Sequence, residues 1–110
     1  MSEVYVEIVA KQKGCILCDL AIAILEEIAP EFIPGTLRWS VVDVGDRSGL
    51  ARMEALSRCC GKRPAIPSIV INGKIAFDHI PDMEALSRAI REAMQANASP
   101  DQGRRLSFRI

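Results

Sequence analysis

Residues 4–10, Val-Tyr-Val-Glu-Ile-Val-Ala, are dense in β-branched side chains and predict a strand. Lys11-Gln12-Lys13-Gly14 interrupts it. From Cys15 to Ala29 the period changes: Leu17, Ala21, Ile24, Leu25 and Ile28 recur at steps of three and four, the spacing of a helix. Pro30, Pro34 and Gly35 end that helix and predict a loop. A second strand is expected at 37–44, Leu-Arg-Trp-Ser-Val-Val-Asp-Val. A helix over 49–60 follows, with Leu50, Met53, Leu56 and Cys60 near one stripe and Asp46 or Ser48 as its N-cap. Gly61 stands where a left-handed residue closes a helix. After the loop Lys62-Arg63-Pro64-Ala65 and the dipeptide Ile66-Pro67, two apolar runs within 68–77 flank Asn72-Gly73, a hairpin signal. Asp82 is expected to cap a last helix over 82–96, with Met83, Leu86, Ile90 and Met94 on one face.

The expected order is β-α-β-α-β-β-α. A βαβ start implies a parallel pair with a right-handed crossover, and the closing hairpin is antiparallel. The expectation is therefore an α/β fold: a four-stranded mixed sheet with helices on both faces. Met-Glu-Ala-Leu-Ser-Arg occurs twice, at 53–58 and 83–88. The likeness stops at the ends of the hexapeptide and does not recur, so it reflects two amphipathic helices and not a repeat architecture.

A length of 110 residues supports one domain, expected at 1–96, with 97–110 as a flexible C-terminal tail. A hydrophobic share of 49% argues against wholesale disorder. Fourteen basic and fourteen acidic residues balance, which argues against a nucleic-acid binder that works by neutralising phosphates. The longest strongly apolar run, Leu20 to Leu25, is too short to span a bilayer, and the first residues lack the positive charge of a signal peptide. A cytoplasmic protein with no membrane partner is expected. In such a reducing compartment, closely spaced cysteines point to redox or metal chemistry rather than structural disulfides.

Cys15 and Cys18 follow a strand and open a helix. Residues i and i+3 lie on one side of a first helical turn, near enough for a disulfide. The unpartnered N–H groups there, and the positive end of the helix dipole, stabilise a thiolate on Cys15. Thiols so placed have pKa values of roughly 3.5–7.5, against about 8.5 when free. Lys11 and Lys13 are expected to add to that field. Cys18, one turn deeper, is expected to be less exposed and less ionised. The roles that follow are Cys15 as attacking thiolate and Cys18 as the thiol that resolves the mixed disulfide.

With these residues in view, the chain over about 4–96 resembles the small thioredoxin/glutaredoxin-like proteins of the thioredoxin-fold family. It has the strand, the CxxC at a helix start, a second βα unit, Ile66-Pro67 before the third strand, the hairpin and the final helix. The resemblance implies a redox-active Cys15–Cys18 disulfide and a cis Pro67. It also implies a groove in which the backbone of Ile66 pairs with an extended substrate segment. It implies a thiol–disulfide oxidoreductase of electron transport and cell redox homeostasis. The partners expected are a disulfide-containing protein and a reductase, dithiol or glutathione as electron donor, and no dissociable cofactor is required. The sequence departs from the family in its details. Ile16-Leu17 replaces Gly-Pro between the cysteines, Asp78-His79-Ile80-Pro81 stands where glutaredoxins carry a Gly-Gly pair, and Val9 stands at the position of thioredoxin's buried acid. Glu7, the nearest acid, is compatible with a proton relay or with a solvent-facing side chain. The apolar Ile16-Leu17 pair predicts a strongly reducing couple, below the glutaredoxin range of about −200 to −230 mV.

Other readings stay open at this level. Cys59-Cys60 is compatible with buried apolar packing or with a regulatory or resolving thiol pair. It is also compatible with soft-metal or zinc ligation together with Cys15 and Cys18, which would make the chain a metal-binding protein. A third reading is an interaction module without turnover. Trp39 is expected in the core, His79 and Arg63 in loops.

Overall fold

The computed structural model describes residues 3–11 and 15–98. Within them the expected order of elements is observed: β1 (Val4–Ala10), α1 (Ile16–Ile28), a 3-10 turn (Ala29–Glu31), β2 (Leu37–Asp43), α2 (Arg47–Cys60), β3 (Ser68–Ile71), β4 (Lys74–Phe77) and α3 (Met83–Ala98). Two residues of the expected tail therefore belong to α3; from residue 99 onward the tail lies outside the described residues, as does Lys13.

The strands form one mixed sheet in the order β2-β1-β3-β4. β1 and β2 are parallel, in register from Val4↔Leu37 to Ala10↔Asp43, with α1 as the crossover. β3 runs antiparallel to β1, Val9 facing Ser68 and Val6 facing Ile71. The β3–β4 hairpin turns at Asn72 and Gly73, whose φ angles of 51° and 83° are the paired positive values a two-residue hairpin turn requires. Gly61 closes α2 with φ 78°.

Strand alternation sorts the side chains onto two faces. Val4, Val6, Ile8 and Ala10 pack with Cys18, Ala21, Leu25 and Ile28 of α1 and Leu86 and Ile90 of α3. Val9, Val42 and Val70 pack with Met53 and Leu56 of α2. Fully burying each large aliphatic side chain stabilises the fold by roughly 1.5–3 kcal/mol. Trp39 is half-buried against the α1/α3 side.

Three expected core positions are exposed: Leu17, Leu50 and Met83. Each lies in the first turn of its helix, where in α1 and α2 a different residue, Cys18 and Gly49, is the one buried, so periodicity assigns the stripe but not where burial begins. Asp46 occupies the N-cap position of α2 but makes no capping bond with its side chain; Ser48 Oγ donates to its Oδ2 instead, at 2.8 Å. Asp82 does cap, accepting the Ala85 N–H at 2.7 Å. Among the described residues, no helix is long and apolar enough to cross a membrane.

Candidate functional site

The chain leaves β1 at the end of the sheet where the parallel strands finish, and Cys15 sits at the start of α1. Cys15 is extended (φ −124°, ψ 99°) and is the N-cap residue: its Sγ accepts the Cys18 N–H at 3.2 Å. A Ser, Thr, Asp or Asn oxygen ordinarily fills this role. Here a sulfur does, so the backbone that starts the helix also supplies a hydrogen bond to one atom of the disulfide. Cys18 is fully buried, and its Sγ accepts the Lys11 N–H at 3.3 Å. The two cysteines form a disulfide with Cα atoms 5.2 Å apart. Asp19, the acid of the first turn, supports the helix through its dipole but opposes negative charge on the sulfur. Sequence reasoning passed over it, although its place one residue after the motif was readable.

The two residues between the cysteines are apolar. Ile16 is 83% exposed and Leu17 57% exposed, an unusual exposure for such residues. Ile66 is exposed, Pro67 is buried, and the peptide bond between them is cis. Because Ser68 pairs with Val9, the Ile66-Pro67 segment enters the sheet at the same end as the disulfide.

Glu7 is neither solvent-facing nor aimed at the disulfide. It is buried on the α2 side of β1, and both its carboxylate oxygens are held by Arg52, Nε at 2.7 Å and Nη2 at 2.8 Å. This hydrogen-bonded pairing raises the Arg52 pKa above its ordinary value. Cys18 packs in the core of the opposite face, so Glu7 cannot serve it as a proton relay. The Ser68 hydroxyl, buried on the α2 side of β3, has no hydrogen-bond partner among the described residues.

The four cysteines are not brought together. Cys60 donates to the Gly73 carbonyl at 3.5 Å, and Gly73 belongs to the hairpin turn beside Tyr5, whose carbonyl accepts the Asn72 N–H. Cys18 is tied to Lys11. Tyr5 and Lys11 are separated by most of β1, roughly 20 Å at strand rise. The four-sulfur metal set, one of the readings the sequence left open, is therefore not formed. No cluster of three or more metal-ligating side chains occurs among the described residues. His79 is exposed and bonds Asp78, whose carboxyl it holds below the usual range, with Lys62 contributing less. Arg63 is an exposed loop residue.

No protein-family model matches the chain, and no curated protein matches it. Solved structures do. One, described as "Structure of a malarial protein", aligns over 84% of this chain and 98% of its own length, with a TM-score of 0.59 and 18% identity. At that identity the likeness establishes a shared small α/β fold.

Proposed function

We propose that the chain is a thiol–disulfide oxidoreductase on a thioredoxin-like fold, with Cys15 as nucleophile and Cys18 as resolving thiol. The observation that carries this reading is the half-buried Cys15 sulfur at the N-cap of α1, hydrogen-bonded to the Cys18 N–H above a fully buried partner sulfur. In the reduced form that N–H and the helix dipole favour the Cys15 thiolate. The thiolate attacks one sulfur of a substrate disulfide; that S–S bond breaks, a thiolate leaves, and a mixed disulfide forms on Cys15. The Cys18 thiolate then attacks the Cys15 sulfur and expels the second substrate thiolate. Two electrons and two protons pass from the protein dithiol to the substrate. The Lys11 N–H stands ready to stabilise charge on Cys18 as it attacks.

Ile66 and Pro67 would form the wall of a substrate groove, the Ile66 backbone pairing with an extended disulfide-bearing segment of a protein substrate. A reductase, another dithiol or glutathione would return the electrons in a cytoplasmic setting, without a dissociable cofactor.

Cys18→Ser should trap a mixed disulfide with a disulfide-bearing protein such as insulin, and Cys15→Ser should trap none. Absence of both turnover in the native protein and trapping in Cys18→Ser overturns the proposal. The potential of the couple, measured by glutathione equilibration, is expected below about −230 mV because Ile16 and Leu17 offer the thiolate no polar help.

A further inference from the structure

At the far end of the sheet, a second pair of thiols opens into a cavity of about 370 Å³ lined by Cys59, Cys60, Lys62, Gly73, Lys74 and Ile75. That volume lies within the range of roughly 300–1,000 Å³ found for small-ligand sites. The two sulfurs differ. Cys59 is exposed, whereas Cys60 is half-buried and its thiol is spent on the Gly73 carbonyl. The Cys59 sulfur is open to an incoming disulfide while the Cys60 sulfur is partly covered and turned to the hairpin, so Cys59 is the nucleophile of the pair. Lys62 and Lys74 give the cavity positive charge; Lys62 leans on Asp78 at 3.8 Å, an exposed contact that an incoming anion can displace.

We propose that this cavity takes a small disulfide bearing carboxylates, of the glutathione-disulfide class, and that Cys59 forms a stable mixed disulfide with it. The Cys59 thiolate attacks one sulfur of the ligand. The ligand S–S bond breaks, a new S–S bond joins Cys59 to one half, and the other half leaves as a thiolate. Cys59 is oxidised and the departing half is reduced. Cys60 cannot resolve the adduct. Adjacent Cα atoms are about 3.8 Å apart, short of the roughly 4.4–6.8 Å that disulfides span, and α2 still holds these residues in helical geometry. The Cys15–Cys18 pair lies at the opposite end of the sheet, so it cannot clear the adduct within the same chain. The modification is therefore independent of the CxxC chemistry and persists until a second molecule removes it.

The test uses the full chain carrying Cys15→Ser and Cys18→Ser, with the oxidised native chain in parallel should that variant fail to fold. Each is exposed to glutathione disulfide or to the uncharged hydroxyethyl disulfide, and adducts are located by peptide mass spectrometry. One glutathione per chain is expected on Cys59, retained in Cys60→Ser and lost in Cys59→Ser. The ratio of glutathione to hydroxyethyl rates should fall about fivefold in Lys62→Gln/Lys74→Gln, the scale of two exposed ion contacts. No adduct, an adduct on Cys60, a Cys59–Cys60 disulfide, or a rate ratio indifferent to the lysines overturns the proposal.

Discussion

At the residue scale, Cys15 has two separable duties. Its sulfur caps a helix and is the atom proposed to react. Cys15→Ser keeps a capping oxygen, so the reduced protein should lose little stability, while Cys15→Ala should lose about 1 kcal/mol. Both variants should lack thiol–disulfide exchange. Denaturant unfolding alongside an exchange assay separates the two duties; equal stability of the serine and alanine variants would mean that the sulfur is not a working cap. The Glu7–Arg52 pair calls for a different experiment. Glu7 is buried, whereas Arg52 is 43% exposed at its side chain, so the pair lies between the surface and buried regimes. Arg52→Leu should cost about 1–3 kcal/mol, because the Glu7 carboxylate is left in the sheet without its partner. Glu7→Leu/Arg52→Leu should recover most of that loss in denaturant unfolding. An Arg52→Leu protein as stable as the native one would show that water replaces the guanidinium. The motif cysteines are readable from spacing alone, since three residues on a first helical turn fix their mutual reach. The fate of Glu7 is not: alternation names its face, but the cation that pairs with it lies 45 residues away.

At the element scale, α2 depends on a glycine. A Cβ on Gly49 would come within 1.9 Å of the Asp43 carbonyl oxygen at the end of β2, which is backbone and cannot swing aside. Gly49→Ala should therefore force the first turn of α2 off the sheet and destabilise by about 1–3 kcal/mol, in the manner of an overpacked core. A thermal midpoint unchanged from the native protein would contradict this close approach. Helix and strand identities follow directly from period and turn residues: Asn72-Gly73 gives its hairpin, and Gly61 its helix stop. The depth of each helical residue does not follow from them. The hexapeptide shared by α2 and α3 shows why. Met53 and Leu56 are both buried, but in the second copy Met83 is exposed and only Leu86 is buried, because that copy begins the helix instead of lying inside it.

At the scale of the whole molecule, the sheet separates two cysteine pairs. The end where β1 and β2 finish holds the disulfide, the exposed Ile16 and Leu17, and the segment leading into β3. The other end holds the hairpin turn and the Cys59-Cys60 cavity. The crossover rule and the hairpin suffice to anticipate a mixed four-stranded sheet with helices on both faces. The separation of the cysteine pairs is not available from spacing, because it depends on α2 running back along the sheet before residues 61–67 return to the disulfide end.

The proposed chemistry needs a reduced Cys15 sulfur that is an ionised nucleophile and a Cys18 that is shielded. The most direct measurement is the pH dependence of iodoacetamide alkylation of the reduced native protein, resolved by peptide for each cysteine. Cys15 should react first, with a midpoint within roughly 3.5–7.5, and Cys18 should stay unmodified until the protein unfolds. A Cys15 midpoint near about 8.5, the value of a free thiol, or alkylation of Cys18 ahead of Cys15 would contradict it.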